Sequence, residues 1–117
     1  MTTYTPKLRR TSLENKTKPK TYIGFSIKSG KSKIGTNAVA TLKTAELMIV
    51  CKTASENTVK ESKKLARRLD CKLLMTKETS LEDYTFKPNA KVMAICDKSL
   101  AKAILEHSEK EFVEVGE

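Results

Sequence analysis

Three unbroken apolar runs organise the chain: Leu47-Met48-Ile49-Val50-Cys51, Leu73-Leu74-Met75 after Lys72, and Val92-Met93-Ala94-Ile95-Cys96. Each has the length of a strand, and a run without polar alternation suits a strand covered on both faces. Between the first two, Ser55 is placed to cap a helix and Glu56 suits its first turn. Val59, Ser62, Ala66 and Leu69 then recur at helical spacing, with Leu65 beside Ala66. Lys60, Lys63, Lys64, Arg67 and Arg68 fill the remaining circumference. After the third run, Asp97 is placed to cap a last helix whose apolar face is Leu100, Ala101, Ile104 and Leu105.

Shorter elements fill the gaps. Tyr22, Ile23, Phe25 and Ile27 begin a short helix that Gly30 ends, and Lys33-Ile34 forms a short strand. Gly35-Thr36-Asn37 opens another helix, with Thr36 or Asn37 as cap and Val39 and Leu42 facing inward. Ser80 to Tyr84 forms a helical turn, followed by a Lys87-Pro88-Asn89 loop. Buried strands alternating with amphipathic helices predict an α/β fold, a three-layer α/β/α domain. The expected organisation is a flexible basic arm over 1–20, one domain over 21–107 and an acidic tail over 108–117, of which Phe112 and Val113 are able to dock. No internal repeat is present.

Charge sharpens this picture. The 117 residues carry 23 Lys and Arg against 14 Asp and Glu, a net +9. Residues 1–20 hold +5 and residues 106–117 hold −4, leaving +8 for the segment between. A folded segment this basic attracts a polyanion, because each neutralised phosphate releases condensed counterions. Aromatics are only 5% and Trp is absent, which argues against an extensive stacking platform for single strands. Cys51, Cys71 and Cys96 lack metal-ligand spacing and read as buried, reduced thiols. No signal peptide or membrane span is predicted, so a cytoplasmic protein is expected.

Candidate chemistry is sparse. Ser29-Gly30-Lys31-Ser32 contains the GKS of a phosphate-binding loop, but the required earlier Gly is replaced by Phe25 and no buried strand precedes it. His107 is the only histidine and reads as a helix-end residue. One His and three scattered Cys make neither a catalytic constellation nor a zinc signature. The cations from Lys60 to Arg68 suit phosphate contacts or an ordinary solvated helix face equally well. Lys33-Ile34-Gly35-Thr36-Asn37 is more specific: Gly permits close backbone approach, while Thr and Asn hydrogen-bond to phosphates or base edges. An ordinary helix cap has the same residues.

Four segments in order carry a resemblance. Gly35-Thr36-Asn37, Ala45-Glu46-Leu47-Met48-Ile49-Val50, Ala54-Ser55-Glu56-Asn57-Thr58 and Val92-Met93-Ala94-Ile95-Cys96-Asp97-Lys98 together resemble the seven-Ae/thirty-e family of ribosomal proteins, closest to its bacterial members of the YlxQ and YbxF type. The likeness covers about residues 22–106. It implies an α/β/α sandwich around a four-stranded mixed sheet, and non-enzymatic RNA binding, in many members to kink-turns. The family's Gly-x-Asn-Glu-x-x-Lys pattern keeps Gly35, Thr36 and Asn37 here, but Ala38 replaces its Glu and Thr41 its Lys. The family's acidic residue after the second strand falls near Thr53, beside Lys52. Its later Leu-Gly pair reads Leu81-Glu82, and the Gly that follows is Phe86, before Lys87 and Pro88.

The resulting expectation is a structured-RNA binder, ribosome-associated or kink-turn-like. Lys33, Gly35, Thr36, Asn37, Thr41, Lys52, Thr53, Lys87 and Pro88 form its RNA-binding set. No cofactor, metal, membrane or small-molecule substrate is expected, and the chain is expected to be a monomer. The alternative is a protein-interaction scaffold of the same fold that has lost specific RNA readout, as Ala38 and Thr41 would allow.

Overall fold

The computed structural model describes residues 11–107 and 111–115. In chain order the elements are α1 (Thr11–Lys28), β1 (Ser32–Ile34), α2 (Thr36–Ala40), β2 (Leu47–Val50), α3 (Glu56–Leu69), β3 (Lys72–Thr76), α4 (Leu81–Thr85), β4 (Val92–Ile95), α5 (Lys98–Glu106) and β5 (Phe112–Glu114). The strands form one mixed sheet in the order β1-β4-β2-β3-β5. β2 and β3 are parallel, joined through α3, with Leu47 opposite Lys72. β4 runs antiparallel to β1 and β2, and β5 antiparallel to β3.

The apolar runs are unbroken because both faces of the sheet are covered. Successive side chains on a strand point to opposite faces. Leu47, Ile49, Cys51, Leu74, Met93 and Ile95 share one core with Ile23 of α1, Leu81 and Tyr84 of α4, and Leu100, Ala101 and Ile104 of α5. Their alternates Met48, Val50, Leu73, Val92 and Ala94 share a second core with Val39 of α2 and Leu65, Ala66 and Leu69 of α3. All four residues of β2 and of β4 are fully buried.

Local signals set the helix ends. The Ser55 hydroxyl accepts from the Thr58 N–H at 3.2 Å, and the Asp97 carboxylate accepts from the Leu100 N–H at 2.9 Å, as their positions predict. Asp70 closes α3 in the left-handed region at φ 56°. α2 differs: its cap is Gly35, at φ 104°, rather than Thr36 or Asn37. Extension along β1 runs straight into the helix, and only Gly adopts that turn without strain.

Both ends of the chain depart from the expected organisation. Helix α1 begins at Thr11, inside the segment expected as an arm. Thr11 to Lys20 lacks apolar periodicity, so the pattern reveals only the half from Tyr22 onward. Residues 1–10 of that arm lie outside the described residues. At the other end, part of the expected tail is the edge strand β5, which makes the sheet five-stranded rather than four-stranded. Phe112 enters the first core, 3% exposed, with its ring 5.3 Å from that of Tyr84. The buried Tyr84 hydroxyl donates to the Glu111 carboxylate; burial and that carboxylate both push its ionisation upward. The surrounding Glu residues mask a single apolar anchor. Residues 108–110 and 116–117 of the tail are outside the described residues.

If β5 belongs to the core, Phe112→Ala should lower stability by about 3–5 kcal/mol in urea denaturation. A loss below about 1 kcal/mol would return Phe112 to a tail.

Candidate nucleic-acid interface

Strand direction decides what meets at each end of the sheet. Ile34 pairs with Met93, and Val50 pairs with both Val92 and Met75. The chain therefore leaves β1, β2 and β3, and enters β4, at one end. Three connections converge there: the β1–α2 turn with Gly35, Thr36 and Asn37; the β2–α3 loop with Lys52 and Thr53; and the α4–β4 loop with Lys87 and Pro88.

Hydrogen bonds lock these connections together. The Gly35 N–H donates to the Val92 carbonyl at 2.8 Å, and the Cys51 N–H to the Lys91 carbonyl at 2.7 Å. Lys91 Nζ donates to Thr53 Oγ1 at 2.7 Å and lies 3.3 Å from Glu82 Oε1. The other Glu82 oxygen accepts the Asn89 N–H at 2.9 Å. Lys52 joins the end of β3, its N–H donating to Thr76 Oγ1 at 2.9 Å and its ammonium to the Glu78 carbonyl at 2.6 Å. Asn37, Lys52, Thr53, Lys87 and Pro88 remain exposed, and Thr36 is half-buried. Because Gly35 has no side chain, no side-chain acceptor caps the first turn of α2.

Two expected site residues do not join this group. Thr41 closes the opposite end of α2, and its hydroxyl donates back to the Ala38 carbonyl at 2.7 Å. Lys33 is exposed at mid-strand opposite Ala94. Its neighbour Ile34 packs on the first core, so Lys33 projects to the α2–α3 side, where its charge bears on Cys96.

Charge at the converging end is mixed. Lys91 is paired with Glu82, the Lys52 ammonium reaches the backbone of Glu78, and Asp83 precedes Lys87 by four residues in the chain. The denser basic surface is α3, where Lys60, Lys64, Arg67 and Arg68 are exposed. Arg68 is already committed there: its guanidinium donates to the Ala40 carbonyl at 2.9 Å and the Leu42 carbonyl at 3.1 Å, clamping the end of α2.

The remaining motifs resolve structurally. Ser29-Gly30-Lys31-Ser32 links a helix to a strand, the reverse of a phosphate-binding loop. Its N–H groups turn back to α1, with Ser29 donating to Phe25 and Lys31 to Ser26. His107 ends α5 with its ring stacked 6.0 Å from that of Tyr22. Only Cys51 is the buried thiol that the sequence suggests; Cys71 is half-buried and Cys96 is exposed, because both lie just beyond the covered part of the sheet. Burial pushes the Cys71 thiol up to about 11. Burial also raises Cys51, but hydrogen bonds from Thr53 and the Leu81 N–H, with the Lys91 charge, outweigh it and hold the thiol below its ordinary value. Among the described residues no group of three or more His, Cys, Asp or Glu side chains is placed to hold a metal, and no helix is long and apolar enough to cross a membrane. No family model matches the sequence, and no curated protein matches it significantly.

Sequence reasoning passed over Phe86 as a site residue. It follows α4 at φ 58°, in the left-handed region, and is 76% exposed. The Lys20 ammonium stands 5.1 Å from its ring centroid. A side-chain-bearing residue in that conformation is disfavoured by roughly 1–2 kcal/mol. The signal available in the sequence was an aromatic at a helix end where a Gly is the ordinary choice. Phe86→Gly should leave stability unchanged or raise it by up to about 1 kcal/mol in thermal and urea melts, since relief of strain exceeds the entropy of a freer unfolded chain. A loss larger than about 1 kcal/mol would mean that the ring packs structurally.

Proposed function

We propose that this chain binds structured RNA without catalysing a reaction, using the end of the sheet where the β1–α2, β2–α3 and α4–β4 connections meet. The observation that carries the reading is this convergence of exposed Asn37, Lys52, Thr53, Lys87 and Pro88 around a hydrogen-bonded frame. Asn presents a donor and an acceptor suited to a purine edge, and Lys supplies phosphate attraction. Lys33 and the α3 cations extend a basic surface along the α2–α3 side, where a phosphate backbone leaving the loops would run. Helices contributing to separate cores on the two sheet faces support a three-layer α/β/α arrangement, and with it the likeness to the seven-Ae/thirty-e ribosomal proteins. A ribosome-associated or kink-turn-like role in the cytoplasm belongs to the same proposal.

Ala38 and Thr41 remove the acid and the cation that this likeness implies, so affinity should lean on phosphates. Binding is expected to fall steeply with salt and to differ little between a kink-turn and a straight duplex. Lys87→Ala should weaken both RNAs alike and reduce the salt slope by about 1. Asn37→Ala should cost about 1–3 kcal/mol on whichever RNA is preferred. Strong discrimination that persists at high salt would contradict this balance.

A scaffold that has lost RNA readout is the second reading. It is favoured by α2 itself, which holds no cation and whose closing residue Thr41 spends its hydroxyl on the Ala38 carbonyl. Absence of RNA association even at low salt would select it.

A further inference from the structure

Independently of the RNA-binding reading, we infer that the groove between α3 and β5 takes an extended, acidic segment of a protein partner, which joins the sheet as a strand beside β5. β5 is the last strand on its side of the sheet. The Val115 N–H donates to the Leu73 carbonyl at 2.8 Å, and the Lys77 N–H to the Glu111 carbonyl at 3.0 Å. In that antiparallel register the N–H and C=O of Val113 face β3, while those of Phe112 and Glu114 face outward. An edge of this kind is a template for a further strand.

The groove beside that edge selects the occupant. It encloses about 270 Å³ and is lined by apolar Ala66, Leu73 and Val115 together with Lys63, Arg67 and Lys72. Phe112 enters the first core, so Val113 faces the α3 side as Val115 does; it is 48% exposed and prolongs the apolar floor. Among the described residues one carboxylate lines the groove, that of Glu114, and the Lys72 ammonium lies 3.9 Å from it. Three cations against one carboxylate, over an apolar strip, suit a strand that carries carboxylates and an aliphatic side chain on the same face. RNA matches the cations but neither the apolar floor nor the strand edge. A second copy matches the edge, but antiparallel pairing of two β5 strands would set both α3 helices on one face of the joined sheet. Lys63 and Arg67 of one copy would then oppose those of the other, a like-charge arrangement that disfavours self-pairing.

The test titrates the full chain with the peptide acetyl-Glu-Thr-Val-Thr-Glu-amide, which sets Val between two Glu on one face in either chain direction, and with its Lys-for-Glu counterpart. The acidic peptide should shift the Phe112 and Glu114 amides, protect them from exchange, and bind about tenfold more tightly than the basic one. Lys63→Glu should weaken the acidic peptide about tenfold. Glu114→Pro removes an outward N–H and leaves the bonds to β3 in place, so it should also weaken that peptide about tenfold at an unchanged melting temperature. Because this variant also removes a carboxylate, charge alone would give the opposite sign. Equal affinity for the two peptides, or full affinity in Glu114→Pro, would overturn the proposal. So would a dimer of the free chain that Glu114→Pro dissolves, or shifts at Phe112 and Glu114 produced by an RNA stem instead of the peptide. Glu114→Pro should leave RNA affinity unchanged, so this inference and the RNA reading fail separately.

Discussion

Burial of both faces of β2 and β4 is the constraint from which the rest of this molecule follows. A strand that shows neither face to water can carry no polar chemistry along its length. Polar groups are driven to the strand ends, and the strand directions send the exits of β1, β2 and β3 and the entrance of β4 to the same end. The junction at Lys91 and Val92 is where this becomes a surface. Its two carbonyls receive the Gly35 and Cys51 N–H groups, and the Lys91 side chain reaches Thr53 and Glu82. Three connections distant in sequence are thereby held in one frame.

Much of this architecture was legible in the residues. The three central strands were visible because double-sided burial writes an unbroken apolar run, and α3 and α5 because single-sided burial writes a helical period. Ser55 and Asp97 marked their starts through chemistry that caps use generally. Edge elements were harder to see. β5 buries one residue of three, so Phe112 was its only signal among acidic neighbours. The first half of α1 carries no apolar period at all, and nothing in the pattern separates such a stretch from an arm. The candidate site divides along the same line. Gly35, Asn37, Lys52, Thr53, Lys87 and Pro88 meet because topology brings them together, whereas Lys33 and Thr41 share their neighbourhood in sequence but project elsewhere. Phe86 was passed over because its one signal in the sequence, an aromatic where a Gly ordinarily ends a helix, gives neither its backbone angle nor its exposure.

Charge is distributed differently over the two surfaces. The converging end mixes cations with Glu78, Glu82 and Asp83, and spends Lys91 and part of Lys52 on internal hydrogen bonds. It is therefore better suited to positioning a specific contact than to long-range attraction. The α3 face carries the exposed excess of Lys and Arg, and under the RNA-binding proposal it supplies attraction without readout. Arg68 links the two surfaces physically, because it fixes the end of α2 whose other end bears Asn37.

The most direct test of the central claim is amide chemical-shift mapping during titration with a structured RNA at moderate salt. The account predicts that the largest perturbations fall on Gly35, Thr36, Asn37, Thr53 and Lys87, with smaller ones along α3. Shifts confined to α5 and β5, or none at saturating RNA, would contradict it.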